Sequence, residues 1–200
     1  VNDWVTTATG LLRDHPAVTS IEFAGSRSRG TNAELSDWDF AVETSDFAAL
    51  ARDLPALVEP LHPLSRQWEP MGHFPVYQVL LPGLTKIEYL FLGLTQEPLP
   101  ARAPTPETLA AVDTHFWDWI WWITTKAALG LDNVVADHLS QLHAHLLGPM
   151  GVEEVPPTID AAVRAFVTRR DALEREYGVS VDRALEDEVR RGIHRVLGGR

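Results

Sequence analysis

The stretch "QEPLPARAPTPE", residues 96 to 107, separates two regions whose hydrophobic periodicities belong to different kinds of fold. Ahead of it, short β-branched runs alternate with helical spacing. Behind it, every apolar pattern repeats at the helical period. The chain therefore predicts an α+β architecture: a mixed sheet flanked by helices over residues 1–97, followed by an all-α helical bundle over 105–200. With 200 residues, 45% of them hydrophobic, each part can bury a core.

The N-terminal part reads in order. Trp4, Val5, Leu11 and Leu12 have helical spacing, and the pattern stops before Pro16, so a helix is expected over 3–14. "AVTSIEFA", 17–24, alternates Ile21 and Phe23 against Ser20 and Glu22, as a strand does. "DWDFAVE" is a second strand, and Asp46 is placed to cap an Ala- and Leu-rich helix reaching 58. "VYQVLL" and "TKIEYLFL" are joined across "PGL", which is short enough for an antiparallel hairpin. Beyond the linker, helices are expected over 107–129, 131–147, 158–177 and 181–197, the last ending at "GGR".

Charge and composition exclude several function classes. A formal net charge of -11 repels nucleic-acid backbones and favours a neutral or cationic partner. The absence of cysteine removes disulfides, thiolate catalysis and cysteine zinc sites. The first residues lack the basic start and apolar run of a signal peptide, and "FWDWIWWI" is too short for a membrane span, so a soluble, cytoplasmic protein is expected.

The chemistry concentrates in "AGSRSRGTNAELSDWDF", residues 24–40. Gly25 and Ser26 fall where a strand hands over to a helix, a place where backbone N–H groups and the helix dipole favour an anion. Ser26 adds a hydroxyl donor, and Arg27 and Arg29 bring positive charge for a polyphosphate. The spacing of "GSRSRG" fits neither a Walker loop nor a dinucleotide fingerprint. Asp37 and Asp39, two apart on an expected strand, project from one face with Trp38 on the other. Paired carboxylates repel unless a cation lies between them, and hard oxygen ligands suit magnesium. Lys86 and Glu88 share a face of "TKIEYLFL", from which Glu88 can join the aspartates.

The ordered set Ala24-Gly25-Ser26, Asp37-Trp38-Asp39 and Glu88 resembles the nucleotidyltransferase superfamily typified by DNA polymerase β. Its small bacterial members, the minimal, aminoglycoside and lincosamide nucleotidyltransferases, are the most similar in pattern. The resemblance covers about residues 18 to 92 in motifs and the rest only in architecture. It implies two Mg2+ ions held by Asp37 and Asp39, ATP or another NTP as co-substrate, and a small hydroxyl-bearing acceptor, cationic or neutral. It also implies phosphate contacts from Gly25, Ser26, Arg27 and Arg29. At the third acidic position Glu88 stands where many members have aspartate. In streptomycin-type adenylyltransferases a glutamate there is thought to be the base, which leaves open a metal ligand, a proton acceptor, or both. An antitoxin-type enzyme that adenylylates a partner protein, and a nucleotide-binding module without turnover, are the alternatives.

The helical half is expected to close such a site. In related enzymes a lysine past the sheet can contact the triphosphate, and Lys126 occupies that kind of position; an exposed lysine near a helix C-terminus is the commoner meaning. Trp117, Trp119, Trp121 and Trp122 cover more than one helix face, which core packing explains for most of them. The rest are open to stacking on a base or sugar, with Asp113 or Asp118 offered to a substrate amine. His138, His143 and His145 lack the i, i+4 spacing that pairs zinc ligands. "RRDALEREYG" and "DRALEDEVRRG" read as solvated, ion-paired helix faces.

Overall fold

The computed structural model of the chain describes residues 3–198. It is a mixed α/β structure with a five-stranded mixed sheet and, among the described residues, seven α-helices. The chain divides into two compact units, Val1–Leu99 and Pro100–Arg200. Gly199 and Arg200, the end of the "GGR" expected to close the last helix, lie outside the described residues.

In the first unit the order is α1 (Asp3–Arg13), β1 (Val18–Phe23), α2 (Gly25–Ser28), β2 (Trp38–Thr44), α3 (Phe47–Leu57), β3 (Ser65–Trp68), β4 (Val76–Leu81) and β5 (Thr85–Leu90). The sheet order is β1-β2-β5-β4-β3. Only β2 and β5 run parallel, while "PGL" joins β4 and β5 as an antiparallel hairpin. Period-two alternation decides which side chains share a face. Phe40, Val42, Tyr77, Val79, Ile87 and Tyr89 form one buried face, packed with Val5, Ala8 and Leu12 of α1 and Leu50 and Leu54 of α3. Burial raises the pKa of Tyr89, and its hydroxyl donates to the Ala8 carbonyl at 3.2 Å, tying α1 to the sheet. Asp46 caps α3 by accepting from the Ala49 N–H at 3.0 Å.

The second unit comprises α4 (Leu109–Ala128), α5 (Asp132–Leu142) running into a π-helical turn (His143–Leu147), α6 (Ile159–Tyr177) and α7 (Ala184–Leu197). Its centre is aromatic: Phe116 stacks on Phe166 with centroids 3.7 Å apart, and Trp117 meets Phe166 edge-on. Thr158 caps α6, and Gly178 ends it in the left-handed conformation. The charged stretches expected to be solvated faces are partly internal. Arg170 is only 2% exposed and binds Asp113 at 2.9 Å, Asp171 at 3.0 Å, and Glu186. Arg170 sits on the inward side of α6 in sequence with Phe166 and Leu173, a placement its charge hides from composition-based reading. Burial raises the pKa of Asp113, opposed by its bond to Arg170. No helix among the described residues is long and apolar enough to cross a membrane.

Candidate active site

One cross-strand row carries the acidic groups. Asp39 on β2 is in register with Glu88 on β5, and Glu88 with Gln78 on β4. Side chains at one register of neighbouring strands emerge on the same face, here opposite the face of Phe40, Ile87 and Tyr89. The β1–β2 ladder continues one step past the strand, where the Ala24 N–H donates to the Asp39 carbonyl at 2.9 Å. That bond sets Gly25 beside Asp39. Gly25 has φ +63°, and a Cβ on it would lie 1.6 Å from Asp39 Oδ2. Only a residue without a side chain, and at ease in the left-handed region, permits this approach.

The strand hands over to a helix at Gly25, and that helix, α2, is a single turn of four residues, Gly25–Ser28. Gly30 at φ +67° turns the chain away, and the Thr31 N–H bonds the Ser26 carbonyl at 3.0 Å. A one-turn helix has little macrodipole, so anion attraction there falls to individual donors. The Ser26 hydroxyl makes no hydrogen bond among the described residues, and the guanidinium of exposed Arg29 has no hydrogen-bond or ion-pair partner among them.

Arg27 differs from expectation. Its guanidinium is turned to the backbone, with Nη2 donating to the Ser36 carbonyl at 2.7 Å and Nε to the Asp37 carbonyl at 3.1 Å. It also lies 3.8 Å over the Trp38 ring. These bonds explain a second difference: β2 begins at Trp38, so Asp37 stands just before the strand rather than on it. A carbonyl bonded to Arg27 is withdrawn from the ladder. Burial pushes the Arg27 pKa down, while the charges of Asp37 and Asp39 pull it up. Arg27 thus holds the entry to β2 and feels both aspartates.

Glu88 is held by neighbours on its own sheet. Gln78 Nε2 donates to Oε1 at 3.0 Å, and Lys86 Nζ lies 3.4 Å from the same oxygen. The Lys86 side chain is 3% exposed and that of Glu88 18%. Among the described residues no group of three His, Cys, Asp or Glu is gathered closely enough to hold a metal ion. Asp37, Asp39 and Glu88 are therefore not assembled as a metal-binding trio; a buried ammonium already faces Glu88. Asp37 and Asp39 do fit a hard cation: their donors are carboxylate oxygens, and one of them has its position cleared by Gly25.

No family model matches the chain, and no curated protein matches it. Among solved structures, the crystal structure of an aminoglycoside 6-adenyltransferase from Bacillus subtilis is similar over 93% of this chain and 95% of that one, at 12% sequence identity and a TM-score of 0.32.

The remaining candidates lie in the helical unit. Lys126, near the end of α4, places Nζ 4.5 Å over the Trp122 ring. Trp117 and Trp121 are buried, whereas half-buried Trp119 donates from Nε1 to His138 Nδ1 at 3.2 Å. Asp113 is committed to Arg170 and is not offered to a substrate amine. Gln78 is the site neighbour that sequence reasoning missed. Its signal was an amide in the middle of "VYQVLL", a strand buried at all six positions.

Proposed function

We propose that this chain is a magnesium-dependent nucleotidyltransferase that moves a nucleoside monophosphate, AMP from ATP foremost, onto a hydroxyl of a small molecule. The observation that carries this reading is the contact of Asp39 Oδ2 with the space above Gly25, in register with Glu88 on the neighbouring strand. Asp37 and Asp39 hold the cation. Magnesium, when bound, supplies charge neutralisation for the triphosphate and for the oxygens that gain charge during displacement. Gly25 leaves room for the phosphates, the Ser26 hydroxyl donates to them, and Arg29 balances their charge.

The acceptor oxygen forms a bond to the α-phosphorus as the α–β bridging bond breaks, and pyrophosphate leaves with that electron pair. The hydroxyl proton passes to Glu88, whose Oε2 has no hydrogen bond among the described residues. The net charge of -11 suits a cationic acceptor such as an aminoglycoside. The test is pyrophosphate release with magnesium, each NTP, and a panel of aminoglycosides, lincosamides and sugars. The expected result is ATP- and magnesium-dependent release that Asp39→Asn abolishes. ATP binding without release for any acceptor would refute the reading. With α-labelled ATP, label found on protein and on no small molecule would assign the chain to protein adenylylation instead.

A further inference from the structure

Gln78 is a buried amide whose hydrogen bonding is half complete. It is 6% exposed; Nε2 donates to Glu88 Oε1, while its own Oε1 has no hydrogen-bond partner among the described residues. Directly opposite on β3 stands Gln67, whose Nε2 is likewise buried without a partner among the described residues. A buried acceptor left unpaired destabilises a fold relative to an apolar side chain of the same length. Packing therefore does not account for glutamine at 78, but the bond to Glu88 does.

Lys86 acts on the same atom. It lies two residues before Glu88 on β5 and shares its face, and its ammonium reaches Glu88 Oε1. Two donors thus converge on one carboxylate oxygen from two strands. A terminal carboxylate torsion is broad and roughly two-fold, so an unrestrained Glu88 would present either oxygen in many orientations. Fixing Oε1 removes that freedom. The row also has an order: Asp39, Glu88, Gln78 and Gln67 follow one another across four adjacent strands at one register. Carboxylates occupy one end and amides the other, so Gln78 restrains Glu88 from the side away from Asp39.

We propose that Gln78 and Lys86 are positioning residues that lock Glu88 through Oε1 and so present Oε2 alone to the acceptor hydroxyl. This rests on the nucleotidyl-transfer reading of the site. Neither residue touches substrate; each acts through Glu88. Reactivity at a base depends steeply on placement within hydrogen-bond reach of the attacking group, so loosening the lock lowers turnover more than nucleotide binding.

Gln78→Met tests the lock, because methionine keeps length and removes both donor and acceptor. The expected result is a kcat for pyrophosphate release lowered about 10- to 100-fold, with KM for ATP within about two-fold of wild type. The thermal midpoint stays level or rises, since an unpaired buried acceptor has gone. Combined with Glu88→Gln, Gln78→Met adds no further loss, because both act on one group. An unchanged kcat, or losses that multiply in the double variant, would overturn the proposal. A fall in kcat matched by a fall in thermal midpoint would assign Gln78 a purely structural role and overturn it too. A second readout needs no acceptor. In 15N–1H spectra the Gln78 side-chain amide is expected to exchange slowly and to shift on Glu88→Gln. Wild-type protein that releases no pyrophosphate with any acceptor refutes the transferase reading. The amide spectrum still decides whether Gln78 holds Glu88, and a signal unmoved by Glu88→Gln overturns the lock.

Discussion

Gly25→Ala perturbs the contact on which the site is built, and its cost divides into two parts. The first is conformational: at φ +63° a Cβ meets the steric penalty of the left-handed region, about 1–2 kcal/mol. The second is local to Asp39, because the new methyl would lie 1.6 Å from Oδ2 and 2.6 Å from Cγ. The side chain must rotate aside, at about 0.5–1.5 kcal/mol for an off-rotamer position. Gly30 supplies the control, since it has φ +67° but nothing within 4 Å of where an added methyl would sit. Gly30→Ala therefore carries the first cost alone, about 1–2 kcal/mol. Gly25→Ala should lose roughly 0.5–1.5 kcal/mol more than Gly30→Ala in urea denaturation followed by tryptophan fluorescence. The activity gap should be far larger. A carboxylate displaced by about an ångström costs on the order of 100-fold in turnover, while Gly30→Ala keeps Asp39 in place. Magnesium–ATP titration calorimetry should show the same split in affinity. Equal stability, affinity and turnover for the two variants would refute the claim that Gly25 exists to admit Asp39.

Arg170→Met removes the cation between buried Asp113 and Glu186 and should destabilise the chain by about 3–5 kcal/mol, measured by denaturant titration. Burial already raises the Asp113 pKa, and a raised acid contributes stability at low pH that is lost as pH rises through the folded value. The variant's melting temperature should accordingly climb as pH is lowered from neutrality toward the carboxylate range, and a flat profile would count against it. Arg27→Lys keeps the charge but not the planar fork that reaches the Ser36 and Asp37 carbonyls. It should weaken magnesium–ATP binding about ten-fold by calorimetry, whereas unchanged affinity would show that charge alone matters. Asp46→Ala deletes the cap on the Ala49 N–H and should cost about 1 kcal/mol in denaturation with turnover unaffected.

The parts of the fold legible in the sequence are those set by local rules. Period-two alternation separates Asp39 and Glu88 from Phe40 and Ile87, and the hairpin between β4 and β5 follows from a connection too short for anything else. What escapes local reading depends on partners distant in sequence. Asp37 looks like a strand residue until Arg27, ten positions earlier, takes its carbonyl. Arg170 looks like a surface charge among surface charges, because nothing in "RRDALEREYG" indicates that Asp113 on α4 and Glu186 on α7 meet it inside. The amide of Gln78 gains meaning only once β4 is known to lie beside β5.

These distant partners also explain how the sheet tolerates its acidic row. Like charges side by side on neighbouring strands oppose pairing, and Asp39 and Glu88 occupy one register. Gln78 on β4 and Lys86 on β5 both hold Glu88 Oε1, and Arg27 sets its charge near Asp37 and Asp39. The other face of the same strands is buried against α1 and α3, and burying a large apolar side chain contributes about 1.5–3 kcal/mol. Several such side chains outweigh one repulsive pair. The strands are therefore registered by their apolar face, and the polar face inherits that register whatever its charges prefer. Asp39 beside Glu88 is an acidic pair held against its own repulsion, an arrangement that a cation at Asp39 would relieve.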